Sequence, residues 1–267
     1  MSQTIALNNI KHQKRYKMFN FAFTAINNIL QNPKKMKNQY LKPLIDYFEA
    51  SYDAENAQAM AHYMKDHFEF YGIKSEYRKL ICKNFLSEYG LPDIHDTENL
   101  VRDLWKYDER EYQYFAIEIL DKQINAVSAE TIRMLEFMII NKSWWDTVDL
   151  IASHLVGSLF MHYPELIKPY TEKWVESDNI WLKRTALLYQ LKYKEKTNKT
   201  LLFNMILKLR NEEEFFIQKA IGWILREYSK TDPRSVKDFV KKSSLPPLSE
   251  REALKIINKS LVKKISA

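Results

Sequence analysis

The sequence predicts an all-α protein, a curved solenoid of tandem HEAT-like antiparallel helix pairs. Small residues in similar apolar surroundings stand at Cys82, Ala116, Ala152, Ala186, Ala220 and Ala253, at spacings of 34, 36, 34, 34 and 33. Three residues beyond each stands a large apolar one: Phe85, Ile119, Leu155, Tyr189, Trp223 and Ile256. A period near 34 with two helices per unit marks a stacked array, in which each pair buries its apolar face only against its neighbours. Turn residues are also scarce: four glycines and eight scattered prolines in 267 residues leave too little punctuation for an all-β fold. The tetratricopeptide pattern W-x-x-L-G-x-x-Y is missing, which leaves an irregular HEAT-like array.

From about Leu41 onward, apolar residues recur at spacings of three and four in segments of 10 to 18 residues. The joints between segments carry helix punctuation. In order they are Ser75 before EYRKLICKNF, Gly90 and Pro92 in YGLPDIHD, Ser128 in VSAETI, Pro164 in HYPEL and Pro233 in TDPRS. LPPLSERE precedes the last helix, and its Ser249 and Glu252 have the spacing of a capping box. About a dozen helices result. Residues 1–40 are expected to be a basic N-terminal extension, partly disordered or holding one short helix, and residues 41–267 the HEAT-like repeat domain.

Charge is unevenly spread. Residues 1–40 hold seven Lys and Arg and no acid; residues 41–140 hold 11 basic and 19 acidic side chains, and residues 141–267 hold 23 and 15. Such asymmetry suggests a polyanion partner for the basic half, although solvated helix faces of uneven composition give the same counts. Cys82 is the only cysteine, which excludes an internal disulfide and a cysteine-based zinc cluster and agrees with a reducing cytosol. The six histidines form no H-E-x-x-H or similar spacing, and neither a Walker loop nor a G-x-S-x-G elbow occurs, so no metal and no cofactor is expected. The longest apolar run, MFNFAFTAINNIL, is too short and too rich in Asn to span a bilayer, and no secretory cleavage site follows it. The expectation is a soluble cytoplasmic protein, monomeric and associated with the nucleoid.

The stretch NKSWWDTVDLI, residues 141–151, carries the most chemistry. A helix from Trp145 to about Met161 puts Val148, Ile151, Ala152, Leu155 and Leu159 on one stripe, with Trp144 inside it. Trp145 and Asp149, four residues apart, share the flank of that stripe. Residue physics leaves two readings open: an interface tryptophan beside an acid favoured by the helix dipole, or a polarised surface site. Asp146, nearer the helix start, fits the dipole explanation better than Asp149 does.

KSWWDTVDLI, SDNIWLKRTALLYQLKYK (177–194), EFFIQKAIGWILREY (214–228) and AMAHYMKDHFEFYGI (59–73) resemble, in order and spacing, the AlkD-type DNA alkylation repair glycosylases. The resemblance covers about residues 41–260 and implies the same helical-repeat fold. It implies hydrolysis of the N-glycosidic bond of N3- and N7-alkylated purines in double-stranded DNA. By matching blocks, Asp149 would be the catalytic acid, and Trp145 and Trp223 would line the lesion's sugar. Arg184 and Arg226 would hold backbone phosphates, and Tyr63 would sit along the same groove. The chain departs from the family at Ser75-Glu76, where Thr-Pro or Ser-Pro is usual, and residues 1–40 lie outside the resemblance.

The residue types suit that reaction. An alkylated N3 or N7 purine is already cationic, so it leaves as a neutral base and needs no general acid. The sugar develops oxocarbenium character, which a carboxylate stabilises while it orients water. Flanking indoles favour the cationic centre by roughly 0.5 to 2 kcal/mol per contact. Family members act on the lesion without extruding the base, unlike most glycosylases. The alternatives are a non-catalytic DNA-binding relative, which would lose the acid or the indoles, and a protein-interaction scaffold, which gives no reason for Trp145, Asp149, Arg184 and Trp223 to occur together.

Overall fold

The computed structural model describes residues 36–265, with side chains over 39–259. Among the described residues every regular element is helical, and thirteen helices follow one another. They group into two compact units, the first ending at Gly90 and the second beginning at Leu91. Residues 1–35, most of the expected N-terminal extension, lie outside the described residues; α1 already begins at Met36, so the chain is helical across the boundary expected at residue 41.

The first unit holds α1 (Met36–Glu49), α2 (Ala54–Tyr63) and α3 (Ser75–Tyr89). Leu44 and Phe48 of α1 and Cys82 and Phe85 of α3 are fully buried. Tyr40 sets its ring edge against Phe85 at 5.1 Å and donates its hydroxyl to the Gly90 carbonyl at 2.8 Å. Asp53 caps α2 by accepting from the Asn56 amide at 2.9 Å. The chain returns to that cap through Gly72, whose φ of +79° and whose Cα position, which would put a Cβ 2.3 Å from the Asp53 carbonyl, both require glycine. Ser75 does not cap α3: it is the first helical residue, and Lys74, which has no side-chain acceptor, stands at the cap.

The second unit is a stack of two rows. One row holds α4 (Ile94–Leu104), α6 (Thr131–Ile140), α8 (Ile167–Val175), α10 (Lys199–Leu209) and α12 (Pro233–Ser243). The other holds α5 (Arg110–Gln123), α7, α9 (Ile180–Leu188), α11 (Phe215–Tyr228) and α13 (Pro247–Ile265), each packed on the next. Helix α7 is α-helical over Trp145–Leu150, a π-helix over Ile151–Val156 and α-helical again over Gly157–His162.

From Ala116 onward the periodicity read from the sequence is the register of this stack. All six small positions are fully buried, and Phe85, Ile119, Leu155 and Tyr189 are buried beside them. Three side chains reach across one repeat of 36 residues to cap a backbone carbonyl: Trp105 Nε1 to Asn141, Tyr163 Oη to Val127 and Tyr193 Oη to Gly157, at 2.9, 3.0 and 2.7 Å. The pattern breaks at Trp223 and Ile256, which are only partly buried.

The expected capping box at Ser249 is replaced by a packing contact. Pro247 opens α13 two residues earlier, so Ser249 is already helical; its hydroxyl donates to the Gln218 carbonyl at 2.8 Å, and Glu252 turns to α11. At this crossing a Cβ on Gly222 would lie 2.6 Å from Glu252 Cβ and 2.9 Å from the Ser249 carbonyl. Neither neighbour is the loose end of a side chain. Gly222→Ala is therefore expected to destabilise the fold by about 1–3 kcal/mol despite alanine's better helix propensity, read as a lowered midpoint in thermal or urea unfolding. Among the described residues no helix is long and apolar enough to cross a membrane.

Candidate active site

The site begins where the chain enters α7. Lys142 adopts a left-handed conformation (φ 48°), Trp144 is extended, and the helix starts at Trp145. Trp144 thus lies just outside the helix, not within its stripe. Its ring, partly buried, packs against Trp181 of α9 and Phe216 of α11 at centroid distances of 5.6 and 5.1 Å. Trp145 is partly exposed, and Asp149 follows one turn later. The π-helical turn starts two residues beyond Asp149, adding a residue per turn where such insertions often mark function. Val148 before it, Ala152 within it, and Leu159 and Phe160 after it are all buried.

Arg184 holds Asp149. The arginine Nε lies 2.7 Å from Oδ1 and Nη2 lies 2.8 Å from Oδ2, a bidentate pair, while Nη1 donates to the Phe216 carbonyl. The resemblance implied that Arg184 would hold a backbone phosphate. In the structure it is 5% exposed, because α9 is sandwiched between α7 and α11 and the guanidinium bridges both neighbours. Asn179 sets the start of α9 by accepting from the Trp181 and Leu182 amides. Burial pushes the Asp149 carboxyl above its ordinary value of 3.8; Arg184 pulls it back down, and the negative charge of Asp146 adds to the rise. Two charge-assisted hydrogen bonds of this length favour its anionic form against the effect of burial.

Arg226 is likewise engaged within the protein. Its Nη1 pairs with Glu252 of α13, whose other oxygen lies 3.3 Å from Lys219 Nζ. Trp223 stands on the same helix, seven residues beyond Phe216 and so on the same face, with its indole partly exposed. Asp149, Arg184 and the start of α11 are joined by direct contact, Trp145 shares the turn of Asp149, and Trp223 and Arg226 lie further along α11. Tyr63 belongs to the first unit, at the end of α2, and is 68% exposed.

Several residues of this neighbourhood are absent from the sequence expectations. Phe216 supplies a carbonyl and a ring to Arg184, 5.8 Å from the guanidinium carbon, and the adjoining Phe215 is 57% exposed. Glu252 was read as a cap. Asp146 was read as a dipole acid, but it is paired with Arg110 and Tyr114 of α5. The available signal was the repeat itself, since Arg110 precedes Asp146 by 36 residues. No group of three or more His, Cys, Asp or Glu side chains able to hold a metal occurs among the described residues.

An all-helical repeat protein with a buried arginine clamping an acid beside partly exposed indoles is the class that fold and site define. Residues 44–257 match the family described as "DNA alkylation repair enzyme", and the chain belongs to that family. A solved structure described as "Predicted DNA alkylation repair enzyme from Enterococcus faecalis" is 36% identical, with a TM-score of 0.72, covering 77% of this chain and 96% of that one. The structure of smu.31 from Streptococcus mutans UA159 is 17% identical with a TM-score of 0.51, covering 67% of this chain and 96% of that one, a likeness of fold alone. Comparison with curated proteins gave no match. Family membership gives the protein an enzymatic role in DNA repair, with DNA as its substrate.

Proposed function

We propose that the protein is a monofunctional DNA glycosylase that hydrolyses the N-glycosidic bond of cationic N3- and N7-alkylated purines in duplex DNA, without flipping the base. The observation that carries this reading is the Asp149 carboxylate, held bidentately by Arg184 in the turn that also presents Trp145. Pairing with Arg184 fixes the direction of the acid and favours its ionised form against the effect of burial, which is what a group facing a developing cation needs. As the C1′–N bond breaks, its electron pair leaves with the base and neutralises the purine's charge. Asp149 stabilises the positive sugar and accepts a proton from the water whose oxygen bonds to C1′, then passes it to solvent.

Trp145 and Trp223 are the aromatic faces of this site. Trp223 supports the reading because its repeat position is filled by buried residues in the four preceding repeats, so its partial exposure is a departure from packing. Arg184 acts here on the acid, not on a phosphate. Arg226 and Tyr63 remain the proposed backbone contacts, Arg226 through the donors that Glu252 leaves unused. The protein works as a monomer in the cytoplasm, on the nucleoid.

The test is chemical. The purified protein is expected to release 7-methylguanine and 3-methyladenine from methylated duplex DNA and to leave abasic sites. Uracil- or hypoxanthine-containing duplexes should yield no base, since those lesions carry no charge to weaken the bond. Release of a neutral base at a comparable rate would refute the proposed chemistry.

A further inference from the structure

Two aspartates one turn apart on α7 each meet a guanidinium, from helices on opposite sides. Asp149 receives Arg184 from α9. Asp146 receives Arg110 from α5, with Nε 2.9 Å from Oδ2 and Nη2 2.8 Å from Oδ1. Arg110 is fully buried; it also donates to Thr147 Oγ1 at 2.8 Å and to the Lys142 carbonyl at 2.7 Å. One side chain thereby ties residues 142, 146 and 147, the segment that carries Trp145. Tyr114, one turn along α5, donates its hydroxyl to Asp146 Oδ2 at 2.6 Å.

This network lies outside the reaction proposed above, yet it borders the acid that the reaction uses. Asp146 is the like-charged neighbour of Asp149 on the same helix, and its charge acts against ionisation of Asp149. The helices packed there carry Arg184 and Lys183 on α9, the latter paired with Glu212, and Arg110, Glu111, Tyr112, Tyr114, Glu118, Asp121 and Lys122 on α5, of which Asp121 lies against His154 further along α7; Asp146 is on α7 itself. The acid of α6, Glu136, turns away to accept from Lys173 and Trp174 of α8.

We propose that Arg110 and Tyr114 are positioning residues for Asp149, acting through Asp146: they compensate its charge and anchor the first turn of α7, so that Asp149 and Trp145 keep one geometry. The catalytic part of this statement rests on the glycosylase reading; the coupling between the two aspartates does not.

The experiment titrates the carboxyl carbon of Asp149 by 13C NMR in the full-length protein, in Tyr114→Phe and in Asp146→Asn. Loss of the phenol leaves Asp146 less compensated, so the Asp149 midpoint should rise in Tyr114→Phe. Removal of the like charge should lower it in Asp146→Asn. A purely structural role predicts no such opposite movement. Should Asp146→Asn fail to fold around the unpaired Arg110, Tyr114→Phe decides alone, since it deletes a single oxygen atom.

An unmoved midpoint in Tyr114→Phe, or a shift in the same direction in both variants, overturns the proposal. In parallel, base release by Tyr114→Phe should fall roughly threefold to tenfold relative to wild type on the acid limb of the pH–rate profile and be unchanged on its plateau. If the midpoints move while wild type releases no base, the coupling stands and the glycosylase reading fails. If wild type is active and the midpoints stay fixed, only the coupling fails.

Discussion

Asp149→Asn is expected to lower base release from methylated duplex DNA by about 10²- to 10³-fold, while binding of the duplex persists. Asparagine keeps the shape of the side chain and can still accept a hydrogen bond from Arg184, but it offers no charge to an oxocarbenium-like sugar. Single-turnover release of 7-methylguanine checks this, and equal release by both proteins removes Asp149 from the mechanism. The same acid sets the pH dependence. Activity requires the anion, and the folded-state value lies above 3.8 because burial outweighs Arg184, so the acid limb of the rate profile should be displaced upward from that ordinary value. For stability the sign is opposite to that of a typical ion-paired acid. The folded chain binds this proton more tightly than the unfolded chain, so stability falls as pH rises from the unfolded value through the folded one. At neutral pH the ionised Asp149 is a cost to the fold.

Arg184→Ala should cause the largest combined loss. It leaves a mostly buried carboxylate without its guanidinium and the Phe216 carbonyl without its donor. Breaking such a pair costs about 3–5 kcal/mol, reduced here to the extent that Asp149 takes up a proton. That proton abolishes the charge the reaction needs, so residual activity should recover as pH is raised, with the acid limb displaced upward. Arg184→Lys restores a positive charge without the planar fork and should fall between the two. Thermal unfolding and a pH–rate profile on one preparation separate the effects. A variant as active and as stable as wild type would show that the clamp has no role. A variant weakened only in DNA affinity would return Arg184 to the phosphate role read from the sequence.

Much of the architecture was legible in the chain because repeat packing repeats its demands. A helix row that stacks every 34 or so residues needs a small residue at each closest approach, and Ala116, Ala152, Ala186, Ala220 and Ala253 of the second unit show that need in order, while Cys82 is buried in the first. The start of α7 at Trp145 was legible for a similar reason, since the apolar stripe from Val148 to Leu159 has helical spacing. What spacing does not encode is the partner of a polar side chain. Arg184 was expected from the resemblance to reach a phosphate, yet its helix has neighbours on both sides and the guanidinium is buried between them. Ser249 misled in the same way: its spacing to Glu252 fits a cap, but Pro247 had already opened the helix and both side chains serve the contact with α11.

The sequence by itself determined that this chain is a helical array, because burial of apolar faces is written in local periodicity; Asp149, Trp145 and Trp223 were singled out by the family resemblance, since Trp223 fits the repeat as an ordinary large apolar residue. Only the tertiary structure decided that Asp149 is clamped by Arg184, that Asp146 is tied to Arg110 and Tyr114, and that Arg226 is shared with Glu252. Those pairings join residues 26 to 36 positions apart. A charged side chain commits to a partner only when packing has removed the water that would otherwise solvate it, and that removal is a property of the stacked helices, not of any one segment.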